Sequence, residues 1–204
     1  MSETGRLAAQ LSAIDKTPLI VGIDGLGGAG KSTLSESLAA ALAAQGRPVT
    51  LLHIDDFIHQ RAVRYRDDVP AWRCYYDLQW NYAPLLELIA ACRREGMYSG
   101  NVSLYEKETD TYRTQPVDIP AGSIVIVEGV FLQRPALAGL FDYMIYLDIP
   151  EEIRLQRVLL RDGYIGDREA IMEKYEQRYF PAERHYVESC RPAETADVVM
   201  KETE

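Results

Sequence analysis

Residues Gly25-Leu26-Gly27-Gly28-Ala29-Gly30-Lys31-Ser32 satisfy the pattern GxxxxGK[ST]. Glycines let a backbone curl tightly enough to aim several N–H groups at one anion, and the positive end of a following helix adds to that attraction. Lys31 would supply a mobile point charge for the β- and γ-phosphates of ATP, and the Ser32 hydroxyl a ligand for Mg2+. Gly25, Gly27, Gly28, Ala29, Gly30, Lys31, Ser32 and Thr33 therefore form the candidate nucleotide-binding set. Such a loop does not by itself separate kinases from GTPases, ATPases or motor-like proteins. The guanine-reading pattern [NT]KxD is absent, which disfavours the GTPases.

Carboxylates narrow the chemistry further. The segment His53-Ile54-Asp55-Asp56-Phe57 closes a short apolar run. An aspartate at the C-terminal tip of a parallel strand lies on the sheet edge where ligands bind, placed to take the proton of a hydroxyl attacking a γ-phosphate. Two solvated or helix-capping aspartates would look the same in sequence. Glu128, in Ile126-Val127-Glu128-Gly129, either orients Mg2+ together with Ser32 or caps the next segment. Arg154, Arg157 and Arg161 recur at i, i+3 and i+7 on one side of a helix, with Arg168 beyond a glycine-bearing break. They form either a lid over 154–168 that neutralises a transferring phosphoryl group or a solvated face.

The elements that must position these groups alternate. Residues 19–24, 49–54, 123–127, 142–149 and 196–200 read as buried strands. Helices are predicted around Leu7, Leu11 and Ile14, around Leu34, Leu38 and Leu42, and over 78–94, 151–162 and 167–190, the last interrupted near Pro181. Residues 55–76 read as a loop and 97–120 as a hairpin. This alternation predicts an α/β fold: a parallel sheet with helices on both faces and a small hairpin insertion, in one domain over 1–204. Acidic residues number 31 against 22 basic ones, a net charge of −9, which disfavours a general nucleic-acid binder. No apolar run reaches membrane-spanning length, and the N-terminus MSETGRLAAQ lacks the apolar core of a leader, so no membrane partner and a cytoplasmic location are expected. Cys74, Cys92 and Cys190 show no zinc spacing and read as reduced thiols. Homo-oligomerisation stays open.

Taken together, IVGIDGLGGAGKSTL, HIDDF, VIVEG, FDYMIYLDIPEEIRLQRVLLRD and TADVV resemble the phosphoribulokinase/uridine kinase family of P-loop small-molecule kinases. The resemblance runs from about Leu19 to Val199. It implies a P-loop nucleoside triphosphate hydrolase fold with a five-stranded parallel sheet, ATP and Mg2+ as cofactors, and a small-molecule hydroxyl acceptor of nucleoside-like character. Asp55, followed one residue later by Phe57, inherits the role of catalytic base, with Asp56 the neighbouring alternative. Asp77, in Tyr76-Asp77-Leu78, takes the place of the aspartate that holds ribose hydroxyls. The hairpin residues Tyr105 and Glu106 would line the acceptor pocket, and Arg161 and Arg168 would act from the lid. The chain departs from uridine kinases at Ile58, at Asp110 and at Arg157-Val158, where that family has tyrosine, histidine and paired arginines. Those departures touch pyrimidine reading and leave the phosphate machinery intact. Outside the kinases, a P-loop ATPase and a catalytically silent nucleotide-binding regulator remain the alternatives.

Overall fold

The computed structural model describes residues 2–202. Its first half runs α1 (Glu3–Ser12), β1 (Leu19–Gly25), α2 (Lys31–Ala44), β2 (Val49–His53), α3 (Arg61–Arg64), α4 (Ala71–Asp77) and α5 (Ala83–Glu95). An antiparallel hairpin of β3 (Tyr98–Glu106) and β4 (Thr111–Ile119) follows. Then come β5 (Ile124–Gly129), β6 (Tyr143–Asp148), α6 (Glu151–Arg161), α7 (Arg168–Lys174), α8 (Phe180–Cys190), α9 (Pro192–Thr195) and β7 (Val198–Lys201).

Five strands form one parallel sheet in the order β2-β5-β1-β6-β7. Each central strand is apolar up to its C-terminal end, where β1, β5 and β6 carry Asp24, Glu128 and Asp148, because both sheet faces are covered. Alternation then decides which way each side chain points. Leu19, Val21 and Ile23 of β1, with Ile124 and Ile126 of β5, pack under Leu7 and Leu11 of α1 and Leu38 and Leu42 of α2. Ile20, Val125 and Val127 face the other way, toward Leu85, Leu88 and Ile89 of α5, the hairpin residues Val102 and Ile119, and Tyr186 of α8. Each fully buried side chain of this kind contributes about 2 kcal/mol. A smaller cluster of Val158, Ile171, Tyr175 and Phe180 joins α6, α7 and α8. Among the described residues, no helix is long and apolar enough to cross a membrane.

Two local expectations are corrected, and the interruption read near Pro181 is seen. The segment 55–76 is not a loop throughout: a 3-10 turn covers Ile54–Asp56, and α3 and α4 follow it. These pieces are only 3, 4 and 7 residues long, too short to display an apolar period. The helix expected over 78–94 begins at α5, after Trp80 has bridged back to Ile58. Its C-terminal stop is as read, with Gly96 at φ 72°. The helical run 167–190 is broken by a π-turn at Tyr175–Tyr179, immediately before Pro181 in the first turn of α8. Proline supplies no N–H and its ring crowds the preceding turn, so the ladder widens there.

Candidate active site

The phosphate loop leaves the C-terminal end of β1 and feeds α2. Gly28 and Gly30 adopt φ of 79° and 93°, which glycine reaches without strain. A Cβ on Gly28 would also come within 2.7 Å of the Arg154 carbonyl, because α6 packs directly against the loop. Two arginines of α6 hold the loop from outside. Arg154 donates to Gly27 O at 3.1 Å, and Arg157 makes longer contacts of 3.4 Å with Gly28 O and Ala29 O. In a trans peptide the C=O and the next N–H point in opposite directions. Turning the Gly27 and Ala29 carbonyls toward these arginines therefore turns the Gly28 and Gly30 N–H groups the other way.

Arg154 is 4% exposed and forms a 2.8 Å ion pair with Glu183 of α8, which is itself buried. The other oxygen of Glu183 accepts from Gly27 N–H at 2.8 Å. One turn on, at i+3, Tyr186 donates to Asp24, the fully buried last carboxylate of β1. Asp24 also accepts from Gly25 N–H, Leu132 N–H and the Gln133 amide. Burial raises the pKa of both Asp24 and Glu183, and their hydrogen bonds and, for Glu183, the Arg154 charge oppose that rise. The loop is thus anchored to α6 and α8 as well as to its own strand.

A cavity of about 460 Å³ opens beside this loop. Lys31, Ser32, Asp55, Asp56, Glu128, Arg161 and Tyr105 all contribute to its wall. β2 and β5 pair in register with His53 opposite Glu128, so the two strand tips deliver their polar groups side by side. Ser32 Oγ lies 3.3 Å from Glu128 Oε1, and His53 Nδ1 lies 2.6 Å from the same oxygen. The Glu128 hydrogen bond raises the His53 pKa above the usual imidazole value. Asp55 is exposed to the open cavity, with the cavity walls crowding round it. That crowding raises its pKa, the Lys31 charge opposes the rise, and Glu128 and Asp56 reinforce it. Desolvation lowers the Lys31 pKa against the pull of Glu128, Asp24, Asp55 and Glu183. Lys31 Nζ rests on Leu26 O at 3.0 Å. Arg161 is clamped by Asp162, chiefly at 2.7 Å, and its pKa is raised by that bond.

Not every residue singled out in sequence reaches the cavity. Asp77 is half exposed on α4 and pairs with Arg73 one turn back at 3.0 Å, outside the cavity wall. Glu106 faces Arg113 across the hairpin and accepts from Thr109, so Tyr105 lines the cavity without it. Arg168 is exposed on the first turn of α7 and does not contribute to the wall. Arg154 supports the loop from behind rather than facing it. Sequence reasoning missed His53, Glu183 and Tyr186. The adjacency of the two strand ends could have pointed to His53; nothing local marks the two α8 residues. Among the described residues, no cluster of three or more His, Cys, Asp or Glu side chains forms a self-contained metal site. Ser32 and Glu128 nevertheless offer hard oxygen donors of the kind Mg2+ accepts when substrate phosphates complete its shell.

The family model described as the phosphoribulokinase/uridine kinase family matches residues 20–204. A uridine kinase of Listeria welshimeri is 27% identical over 194 residues, covering 92% of this chain and 88% of the relative. A solved structure described as a possible uridine kinase from Bacillus stearothermophilus superposes with a TM-score of 0.80 at 32% identity, covering 97% of this chain and 96% of that one. A structure described as a putative fructose transport system kinase from Silicibacter sp. gives 0.77 at 22% identity, covering 98% and 100%, and speaks for the fold alone. The architecture is that of the P-loop nucleoside triphosphate hydrolases.

Proposed function

The chain belongs to the phosphoribulokinase/uridine kinase family, and we propose that it transfers the γ-phosphoryl group of ATP to a hydroxyl of a small metabolite. One observation carries this reading: Lys31, Ser32, Asp55, Glu128 and Arg161 line a single cavity. The loop N–H groups and Lys31 would hold the β- and γ-phosphates. Ser32 and Glu128 would hold Mg2+, which when bound spreads the negative charge of the phosphates; His53 would keep the Glu128 carboxylate oriented. Asp55 accepts a hydrogen bond from the acceptor hydroxyl and aims its oxygen at the γ-phosphorus. As the new P–O bond forms and the bond to the β-phosphate oxygen breaks, the hydroxyl proton passes to Asp55 and ADP departs. Arg161 faces the charge that develops on the transferring group.

The nucleoside-like character of the acceptor rests on the names of the relatives. With Asp77 outside the cavity wall, the geometry offers it no independent support. The test is ADP release with and without added alcohols. Release that depends on the alcohol supports the kinase; the same release in water alone supports an ATPase, and ATP binding without release supports a silent regulator.

A further inference from the structure

The chain carries nine more acidic than basic charges, yet Arg61, Arg64, Lys107 and Lys174 all line the cavity and join none of the ion pairs among the described residues. In a protein so short of cations, unpaired ones gathered on one wall call for a physical reason. Arg64 is the strictest case, at 7% exposure. Its guanidinium donates to His59 O at 2.9 Å and to the Tyr105 hydroxyl at 2.8 Å, with the Tyr65 and Tyr105 rings 4.9 and 5.3 Å away. Burying a guanidinium without a carboxylate is costly. Arg178, at 4% exposure, stands behind the same wall, 4.5 Å from the Tyr65 ring, bonded to Gln79 and Ala71 O and with its Nε hydrogen unpartnered.

The acids nearby are committed elsewhere. Asp162 is taken by Arg161 and Tyr175, and Glu183 by Arg154 and Gly27 N–H. Asp55, Asp56 and Glu128 sit at or just beyond the strand tips. Asp110 makes no direct bond to either guanidinium: it is bonded to Arg64 through the Tyr105 hydroxyl and to the Arg61 backbone N–H, though both charges lower its pKa across space. The Arg61 guanidinium is held by Lys107 O at 3.0 Å. Lys107 and Lys174 rest on the Tyr164 and Tyr179 rings at 4.4 and 5.9 Å, contacts that flexible ammonium groups give up readily. Lys31 and Arg161 already serve the transferring phosphate, so this second set of cations is surplus to ATP.

We infer that the acceptor bears an anionic group, a phosphate or a carboxylate, besides its reactive hydroxyl, and that Arg61, Arg64, Lys107 and Lys174 receive it. The inference rests on the kinase reading above. Planar guanidinium groups on a helix beside a mobile ammonium suit a multi-oxygen anion, and a neutral nucleoside would leave all four without a direct anionic partner.

The test saturates the protein with Mg2+ and the nonhydrolysable ATP analogue AMP-PNP, filling the phosphate loop, and then titrates inorganic phosphate, acetate, glycerol and uridine while following thermal stability. Sodium chloride of matched ionic strength is the blank. Phosphate or acetate should raise the midpoint above the blank, and whichever acts better identifies the anion class. Glycerol and uridine should not. The double variant Arg61→Gln/Lys107→Gln should weaken the anion by about tenfold or more while AMP-PNP binds as before. No anion effect in the wild type, an undiminished effect in the double variant, or stabilisation by uridine instead would overturn the inference and leave the kinase reading standing. A wild type that does not bind AMP-PNP would overturn the kinase reading itself, and the inference with it.

Discussion

The phosphate-loop wall of the cavity is held by charges already paired, whereas the wall formed by α3, the hairpin tip and α7 carries charges that are not. On the first, Arg154 meets Glu183 and Glu183 meets Gly27 N–H. On the second, Arg61, Arg64, Lys107 and Lys174 find carbonyls, a hydroxyl and aromatic faces but no carboxylate of their own. Pairing fixes the loop before any ligand arrives, which suits a group that must be met in the same geometry at every turnover. Unpaired cations leave binding energy to be realised when the acceptor arrives, and with it discrimination between acceptors. Changes on the first wall should therefore lower turnover with every acceptor, and changes on the second should alter which compound is used.

The largest expected effect is that of Lys31→Ala. Removing the charge aimed at the β- and γ-phosphates should cut kcat/KM by about 10³-fold, with the circular dichroism spectrum unchanged. A folded variant with wild-type turnover would show that the loop does not bind a triphosphate in the way its wall suggests.

Next comes Asp55→Asn, which keeps the size of the side chain and removes its basicity. Acceptor-dependent turnover should fall by about 10²-fold or more, while ATP affinity stays near wild type. Since desolvation by the surrounding cavity walls raises the Asp55 pKa and only the ionised form takes a proton, activity should fall as pH drops through a value above that of an ordinary aspartate. A full-rate Asp55→Asn beside a crippled Asp56→Asn would move the base by one residue.

Glu183→Gln probes the paired wall from behind. It keeps an acceptor for Gly27 N–H but leaves the Arg154 guanidinium buried without its charge partner, so unfolding should become easier by up to about 3 kcal/mol. Weaker nucleotide binding should accompany that loss. A large loss of stability with unaltered nucleotide affinity would mean that the pair supports α8 and not the loop.

His53→Gln should have the smallest effect. The folded His53 pKa is raised by Glu128, so the pair stabilises the fold fully below the unfolded imidazole value of about 6.5 and loses that contribution as pH rises through the folded pKa. With the imidazole 41% exposed, screening holds the contribution below about 1 kcal/mol. Denaturant midpoints of wild type and variant should therefore differ at pH 6 and converge on the alkaline side. Parallel curves at every pH would show that the two groups are not coupled.

The same two walls differ in how far they could be read from sequence. The phosphate loop, Asp55 and Glu128 are legible because each lies at or just beyond the C-terminal end of a largely apolar strand, so the chemistry is within a few residues of a readable element. The five strands are legible for the same reason. Asp77 misled because a match of neighbouring residues says nothing of which side of a seven-residue helix faces the cavity. Glu183 and Tyr186 were invisible because their partners Gly27 and Asp24 lie 156 and 162 residues away along the chain. The cationic wall draws Arg61 and Arg64 from α3, Lys107 from the hairpin and Lys174 from α7, and only folding brings them together. Its chemistry is a property of the tertiary structure.

The central claim, phosphoryl transfer to an alcohol with Asp55 as its base, is tested most directly by following the phosphate. Wild-type protein and Asp55→Asn are each incubated with Mg2+, γ-labelled ATP and a small-molecule extract, and both ADP and labelled products are quantified. The account predicts that the wild type releases ADP in equal measure with one labelled organic phosphate, and that Asp55→Asn binds ATP but forms that product about 10²-fold more slowly. Label recovered only as inorganic phosphate from the wild type, or an organic phosphate formed at the same rate by Asp55→Asn, would contradict it.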